Sequence, residues 1–156
     1  MPILSGSLVD GWAVVEVIVQ PSRIRRQLLK KHSMPVPDGV SVRALIDTGS
    51  TMSAFAPGLF KQLDLRPVTT IEVLTPSTRG EEPHRADMYD VDLSIVSDGG
   101  GTSTSRDLRV MEADCWRPSE RLDGLIGMDI LKLCFFQFMG PEKWFTLAFN
   151  NAQPKP

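Results

Sequence analysis

The sequence predicts an all-β fold with one or two short helices. The chain contains several short segments rich in β-branched and aromatic residues, and turn-forming residues separate these segments. Twelve glycines and twelve prolines supply such turns. A length of 156 residues suits one domain with a modest core. We therefore expect a single domain at residues 1–149 and a disordered tail at 150–156.

The individual strands are predicted where apolar segments lie between breaks in the pattern. The predicted strands are 12–19, 40–47, 52–55, 68–74, 87–96, 106–112, 134–139 and 144–149. The last two flank a G-P-E-K turn and should form a terminal hairpin. Segment 122–133 adds a short apolar strand, a glycine and a helical turn. Within 87–96 apolar residues alternate with polar residues such as Asp92, which predicts one apolar and one polar face.

The helices are predicted from fewer signals. Pro57 is expected in the first turn of a short helix over 57–63. The basic segment 22–34, S-R-I-R-R-Q-L-L-K-K-H-S-M, is compatible with a helical turn or with a long hairpin loop. We interpret its cationic run, 23–31, as a solvated insertion in preference to a partner-binding patch.

The composition argues against several functional classes. The formal net charge is −2 and the pI is about 5.7, so neither nucleic acid nor a membrane is an expected partner. No apolar run is long enough for a transmembrane helix, and the N-terminus lacks a secretory-signal pattern, so we expect a cytoplasmic protein. Cys115 and Cys134 match no metal spacing and should be reduced or packed thiols, and His32 and His84 form no metal pair. Neither a metal nor another cofactor is expected.

The stretch A-L-I-D-T-G-S-T, residues 44–51, places an acid at the end of an apolar strand. A carboxylate in that position is costly unless it is hydrogen-bonded or functional, so Asp47 is the candidate catalytic residue. Thr48 and Gly49 offer backbone N–H donors, and Gly49 permits a turn where a side chain would obstruct. Ser50 is expected to donate its hydroxyl to the outer carboxylate oxygen.

This stretch resembles the active-site motif of aspartic proteases. A second stretch, L-D-G-L-I-G-M-D-I-L at 122–131, resembles their second signature, in which two apolar residues precede a glycine. The order of elements from about residue 10 to residue 149 is similar to that of retropepsin-like proteases of the cellular and bacterial type. The resemblance implies a small closed β-barrel. It also implies that Ile126 and Gly127 brace the active-site loop from beneath and contribute to substrate binding.

The resemblance further implies how one carboxylate per chain can act. In that family two aspartates share one proton and activate the water that attacks a peptide carbonyl. The chain has a single D-T-G motif, so a homodimer is implied, in which each copy supplies Asp47. Thr48 is then expected to hydrogen-bond the partner's backbone. The implied activity is hydrolysis of peptide bonds in extended, largely hydrophobic segments. The alternative is a dimerisation or peptide-binding module of the same fold with little or no turnover.

Two regions depart from the viral members of the family. The family's flap corresponds to an arm at about 75–86, where this sequence is more charged and has one glycine; Arg79 and Gly80 are its expected substrate contacts. An ion pair found in the viral members is missing, because Thr51 and Met128 occupy its positions.

The remaining candidate residues are assigned to packing or to caps. The aromatic terminal hairpin, 134–149, is the candidate dimer surface. Asp129 is interpreted as an acid near a helix N-terminus rather than as a catalyst. Trp12, Trp116 and Trp144 are expected to pack in the core or in an interface.

Overall fold

The structure, a computed structural model, describes residues 3–73, 83–114 and 122–149, and for residues 103–106 it describes the backbone alone. Within these ranges the chain forms ten strands and three helices. The strands are β1 (Ile3–Ser7), β2 (Val14–Pro21), β3 (Val40–Ile46), β4 (Ala54–Phe55), β5 (Thr69–Val73), β6 (His84–Val96), β7 (Thr102–Glu112), β8 (Gly124–Ile126), β9 (Cys134–Met139) and β10 (Trp144–Phe149). The helices are α1 (Arg23–Lys31), α2 (Pro57–Gln62) and α3 (Met128–Leu131).

Six of these strands close into a barrel. Their order is β2-β3-β8-β4-β7-β6, and the pairing of β2 with β6 completes the ring. The 13-residue β6 is long enough to serve two partners: its start pairs with β5, with His84 opposite Val73, and its end pairs with β2, with Ile95 opposite Val17. Strand β5 and the start of β6 therefore form an arm outside the ring. The prediction of a small closed β-barrel is confirmed.

The core fills the barrel because each strand turns alternate side chains inward. On β2 the inward residues Val15, Val17 and Val19 are at most 3% exposed. A second sheet of three strands, in the order β1-β10-β9, adds Phe145 and Leu147 to the same cluster of buried side chains. The terminal hairpin is therefore packed onto the barrel through one face, and its other face is left for solvent or a partner.

The predicted strands are all present, with ends shifted by a few residues. Strand β1 was not predicted, because L-S-G-S has a weak strand pattern and its partner, β10, lies at the far end of the sequence. Three helices are present where one or two were expected. The predicted tail at 150–156 lies outside the described residues. Among the described residues, no helix has the length and apolar character needed to cross a bilayer.

Helix α1 settles the alternative left open for segment 22–34. The hydroxyl of Ser22 accepts a backbone N–H of the first turn (3.3 Å), and Leu29 is buried. Arg26 forms an ion pair with Asp92, which is fully buried although it belongs to the predicted polar face of its strand. The interpretation of this segment as a solvated insertion is therefore wrong for the inner face of the helix, which covers that polar face.

Two titratable side chains belong to the packed interior. The ring of Tyr89 stacks on Phe60, with centroids 3.9 Å apart, and its hydroxyl donates to Glu112 (2.9 Å). Burial, and next the hydrogen bond to Glu112, raise the pKa of Tyr89 to about 12. Cys134 is half-buried and burial raises its pKa to about 11, which confirms the expected packed thiol. Cys115 lies outside the described residues.

Candidate active site

Asp47 lies where two parallel strands end side by side. Strands β3 and β8 run parallel, with Leu45 opposite Leu125 and Ile46 opposite Ile126. The backbone N–H of Asp47 then donates to the carbonyl of Ile126 (3.0 Å). This last bond fixes the direction in which the chain leaves the sheet, and the Asp47 side chain stays half-buried at the edge of the barrel.

The loop that follows holds the carboxylate through backbone groups. The N–H of Gly49 donates to Oδ1 of Asp47 (2.9 Å), and the N–H of Ser50 donates to the Asp47 carbonyl (3.3 Å). A Cβ on Gly49 would lie 3.2 Å from that same Oδ1, which is tighter than an ordinary contact. Thr48 and Gly49 are exposed. The carboxylate is thus held from one side by its own turn, and the tip of the turn faces outward.

Ser50 supports the loop, but not in the expected manner. Its hydroxyl donates to the carbonyl of Met52 (2.7 Å) rather than to the Asp47 carboxylate. Its own carbonyl accepts the N–H of Met128 (2.8 Å), the first residue of α3. The expected donation to Asp47 is therefore wrong for this chain, because the hydroxyl is used within the turn that follows Gly49.

Beneath the loop, Ser53 and Asp129 form a brace that the sequence did not predict. The Ser53 hydroxyl accepts the buried N–H of Gly127 (3.0 Å) and donates to Oδ1 of Asp129 (2.8 Å). The Ser53 N–H donates to the other oxygen, Oδ2 (2.9 Å). The N–H of Asp129 in turn donates to the carbonyl of Thr51 (3.2 Å). This network joins the loop to the second signature at the place where the viral ion pair is absent.

The placement of Asp129 corrects an incomplete interpretation. Asp129 does lie in the first turn of α3, as predicted, and its Oδ1 accepts the N–H of Ile130 (3.0 Å). Its main partners are nevertheless in the distant residue Ser53, which is fully buried. The signal for this contact would have been the burial of Ser53, three residues beyond Ser50. Burial of a serine cannot be read from one sequence, so the contact was not predicted.

The second signature is packed directly against the loop. A Cβ on Gly127 would lie 2.5 Å from the carbonyl carbon of Met52 and 2.6 Å from its oxygen. Ile126 is fully buried, and in the single chain it acts as a brace rather than as an exposed pocket wall. Gly127 therefore brings two backbone segments into contact under the active-site loop, as the resemblance implied, and a role of either residue in substrate binding stays a prediction.

Trp12 lies just before β2, at the end of this strand that is next to the last residues of β3. Val14 is opposite Leu45, and the N–H of Ile46 donates to the carbonyl of Ala13 (2.9 Å), so continuing this register places Trp12 opposite Asp47. The indole is 46% exposed, which excludes the core position that the sequence suggested. A tight turn holds it there, because Trp12 and Val9 exchange both of their backbone hydrogen bonds (2.9 Å each).

The predicted flap contacts are not tested by this structure. Arg79 and Gly80 lie outside the described residues, as do all residues from 74 to 82. The described base of the arm is tied across its two strands by a hydrogen bond from the Thr70 hydroxyl to Asp87 (2.8 Å). Within the described part of the chain, no group of three or more His, Cys, Asp or Glu residues is arranged to hold a metal ion.

A family model for aspartyl proteases matches residues 35–130, a range that includes both the Asp47 loop and the Gly127 signature. The chain belongs to the aspartyl protease family. Among solved structures, this family member is similar to a retropepsin-like aspartic protease from Rickettsia conorii, with a TM-score of 0.57 and 15% sequence identity. The match covers 94% of this chain and 90% of that chain. The likeness shows that this aspartyl protease family member has the retropepsin-like fold.

A second solved structure, the EIAV protease complexed with the inhibitor HBY-793, matches with a TM-score of 0.41 and 15% identity. That match covers 78% of this chain and 86% of that chain. A comparison of this aspartyl protease sequence with curated proteins gave no match.

Proposed function

We propose that this member of the aspartyl protease family is a homodimeric endopeptidase that uses Asp47 from each of two copies. The observation that carries the proposal is a single carboxylate held by its own loop at the end of two parallel strands, with the tip of that loop exposed. The loop is braced from beneath by Ser53, Gly127 and Asp129. Such a site is preorganised on one side. The sequence has no second D-T-G motif that could supply another acid.

The chemistry requires two carboxylates that hold one proton between them. Two like charges about 3 Å apart cannot both ionise, so one Asp47 stays protonated while the other is ionised. The ionised Asp47 takes a proton from a water molecule, whose oxygen attacks the peptide carbonyl carbon. The protonated partner's Asp47 donates its proton to the carbonyl oxygen. Collapse of the resulting tetrahedral intermediate breaks the C–N bond and passes a proton to the leaving amine.

The outer face of the β1-β10-β9 sheet supports a dimer. The register places Ile3, Ala148 and Phe135 in one row across the sheet, and Ser7, Trp144 and Met139 in another row on the same face. Three large apolar side chains among them are exposed: Ile3 by 50%, Phe135 by 62% and Trp144 by 39%. Exposed apolar side chains grouped on one face of a sheet are typical of an interaction surface, and we assign this face to the second copy.

The substrate is an extended, largely hydrophobic peptide segment. The arm formed by β5 and the start of β6 extends beyond the ring, where it can pair with such a segment through its backbone. The exposed indole of Trp12, opposite Asp47, offers an apolar surface beside the scissile bond. Arg79 and Gly80, in the segment between β5 and β6, are the proposed polar and backbone contacts.

The experiment compares wild type with Asp47→Asn and with Asp38→Asn, an exposed loop acid that serves as the matched control. A peptide library is digested between about pH 4 and pH 7, where a carboxylate pair changes its protonation. Wild type and Asp38→Asn should cleave, and Asp47→Asn should not. Cleavage by all three proteins would remove Asp47 from the mechanism, and cleavage by none would favour a binding module instead.

A mixing experiment tests whether the site is shared. Asp47→Asn chains added in excess to wild type should lower activity well below that of wild type diluted with buffer, because mixed dimers carry only one functional acid. Sedimentation under the assay conditions should show a dimer. A fully active monomer, or activity that Asp47→Asn leaves untouched, would contradict a site built from two copies.

A further inference from the structure

Helix α1 packs on the barrel through Leu29 and Arg26 and presents other apolar residues to solvent. Its inner face holds Leu29, which is 4% exposed, and Arg26, which pairs with the buried Asp92. Ile24 and Leu28, one helical turn apart, are 64% and 46% exposed. Ile24 and Leu28 therefore form a small apolar patch on the side of the helix that does not pack on the barrel.

The same helix concentrates positive charge in an acidic protein. It carries five cations and no acid, while the whole chain has a formal net charge of −2, which leaves −7 for the other residues. Arg26 is paired, and Arg23 lies 3.7 Å from Asp107. Lys30 and Lys31 form no ion pair with any residue that the structure describes, and both are exposed. We define Ile24, Leu28 and Lys31 as the outer face of α1, and Lys30 lies on the flank of the helix, next to Arg26.

The outer face of α1 is remote from the candidate active site along the sheet. Helix α1 connects the end of β2 to the start of β3, and these two strands pair along their length. Asp47 follows the other end of β3, beside the start of β2. A surface bound to α1 would therefore leave the active-site end of this hairpin accessible.

We propose that the outer face of α1 binds the surface of an anionic lipid bilayer. Two aliphatic side chains beside Lys31 on the outer side of a helix, with Lys30 on its flank, are suited to a flat interface, where the aliphatic groups enter the headgroup region and the ammonium groups stay among the phosphates. Lysine is depleted from protein–protein interfaces, and the outer face of α1 has no aromatic anchor, so a protein partner fits this surface less well. The proposal departs from the expectation that the chain has no membrane partner, and it does not depend on protease activity.

The test measures co-flotation of the full chain with phosphatidylcholine vesicles that contain about one third phosphatidylserine, or none. Binding should occur with the anionic vesicles only and should weaken as salt is added. Replacing Lys30 and Lys31 together by Gln should lower partitioning about thirtyfold, at about fivefold per charge. Replacing Ile24 and Leu28 together by Ser should also abolish most binding at unchanged charge.

Matched controls separate this surface from a general effect of charge or apolarity. Lys61→Gln with Lys132→Gln removes two exposed charges elsewhere, and Val68→Ser removes an aliphatic side chain that is 51% exposed. Both controls should bind vesicles as wild type does, and circular dichroism should show all variants folded. The proposal is overturned if wild type ignores anionic vesicles at low salt, or if the controls weaken binding as much as the α1 variants. Binding to an acidic protein with no binding to vesicles would equally overturn it.

Discussion

Replacing Gly127 by Ala should damage both the stability and the activity of this protein. The added Cβ would lie 2.5 Å from the Met52 carbonyl carbon, and an ordinary contact begins at 3.4 Å, so the two segments must separate by about 0.9 Å. Both sides of the contact are backbone, so no side-chain rotation can relieve it. Gly127 has φ −97°, which any residue can adopt, so the effect is steric and not conformational.

The expected loss of stability follows from the kind of clash that the added Cβ creates. Overpacking costs about 1–3 kcal/mol of unfolding free energy, and a clash between two backbones belongs at the upper end, about 3 kcal/mol. Separation would also stretch the bond from Gly127 N–H to Ser53 and shift the Asp47 loop. A displacement of about 1 Å at a catalytic group can cost about a hundredfold in rate.

The assay is urea unfolding combined with peptide cleavage, with Gly58→Ala as the matched control. Gly58 lies in α2 with no neighbouring heavy atom within 4 Å of an added Cβ, so this change should be neutral or stabilising by up to about 1 kcal/mol. If Gly127→Ala unfolds at the same urea concentration as wild type and cleaves at the same rate, the close contact under the loop has no role.

Three further predictions concern single side chains. Ser53→Ala should cost about 1–3 kcal/mol of unfolding free energy, because the buried N–H of Gly127 loses its acceptor; an unchanged urea midpoint would contradict this. Trp12→Ala should raise KM for hydrophobic peptides about tenfold or more, since a loss of about 1.4 kcal/mol of apolar contact corresponds to a factor of ten. Sedimentation should still show a dimer. A loss of the dimer instead would assign the indole to the interface. The pKa of Tyr89 is about 12 when folded and about 10 when unfolded, so wild type should lose stability between pH 10 and about 12, where the unfolded chain releases this proton first. The Tyr89→Phe variant should lose less stability over that range. Because the chain has a single tyrosine, its ultraviolet titration reports this group directly. A titration midpoint near pH 10 in the native protein would refute the argument.

Local sequence pattern was sufficient for the parts of the fold in which neighbours along the chain decide the structure. The β-branched segment of β2, the G-P-E-K turn before β10 and Pro57 at the start of α2 each carry their own signal, and each is found where it was predicted. The pattern failed for β1, whose pairing with β10 is set by residues more than a hundred positions away. It also left α1 undecided, because the contact between Arg26 and Asp92 that holds the helix is a tertiary one.

The candidate site likewise has residues that the sequence predicted and residues that it did not. The stretch 44–51 was enough to select Asp47 and the supporting backbone of Gly49, since a charged group at the end of an apolar strand needs nearby donors. The same reasoning assigned the Ser50 hydroxyl to the wrong acceptor, because the direction of a hydroxyl depends on how the turn folds and cannot be read from residue type. Ser53 was not selected at all, since a serine shows no sign in sequence of being buried beside a distant carboxylate.

The sequence by itself therefore determined the all-β class, the acid at the end of β3 and the glycine that follows two apolar residues in β8. These depend on residue type and on spacing along the chain. Only the tertiary structure decided that Ser53 joins Gly127 to Asp129, that Asp92 is buried under α1, and that Trp12 lies exposed across from Asp47. The physical reason is that hydrogen bonds and burial arise between residues far apart in sequence, and their partners are fixed only when the barrel closes.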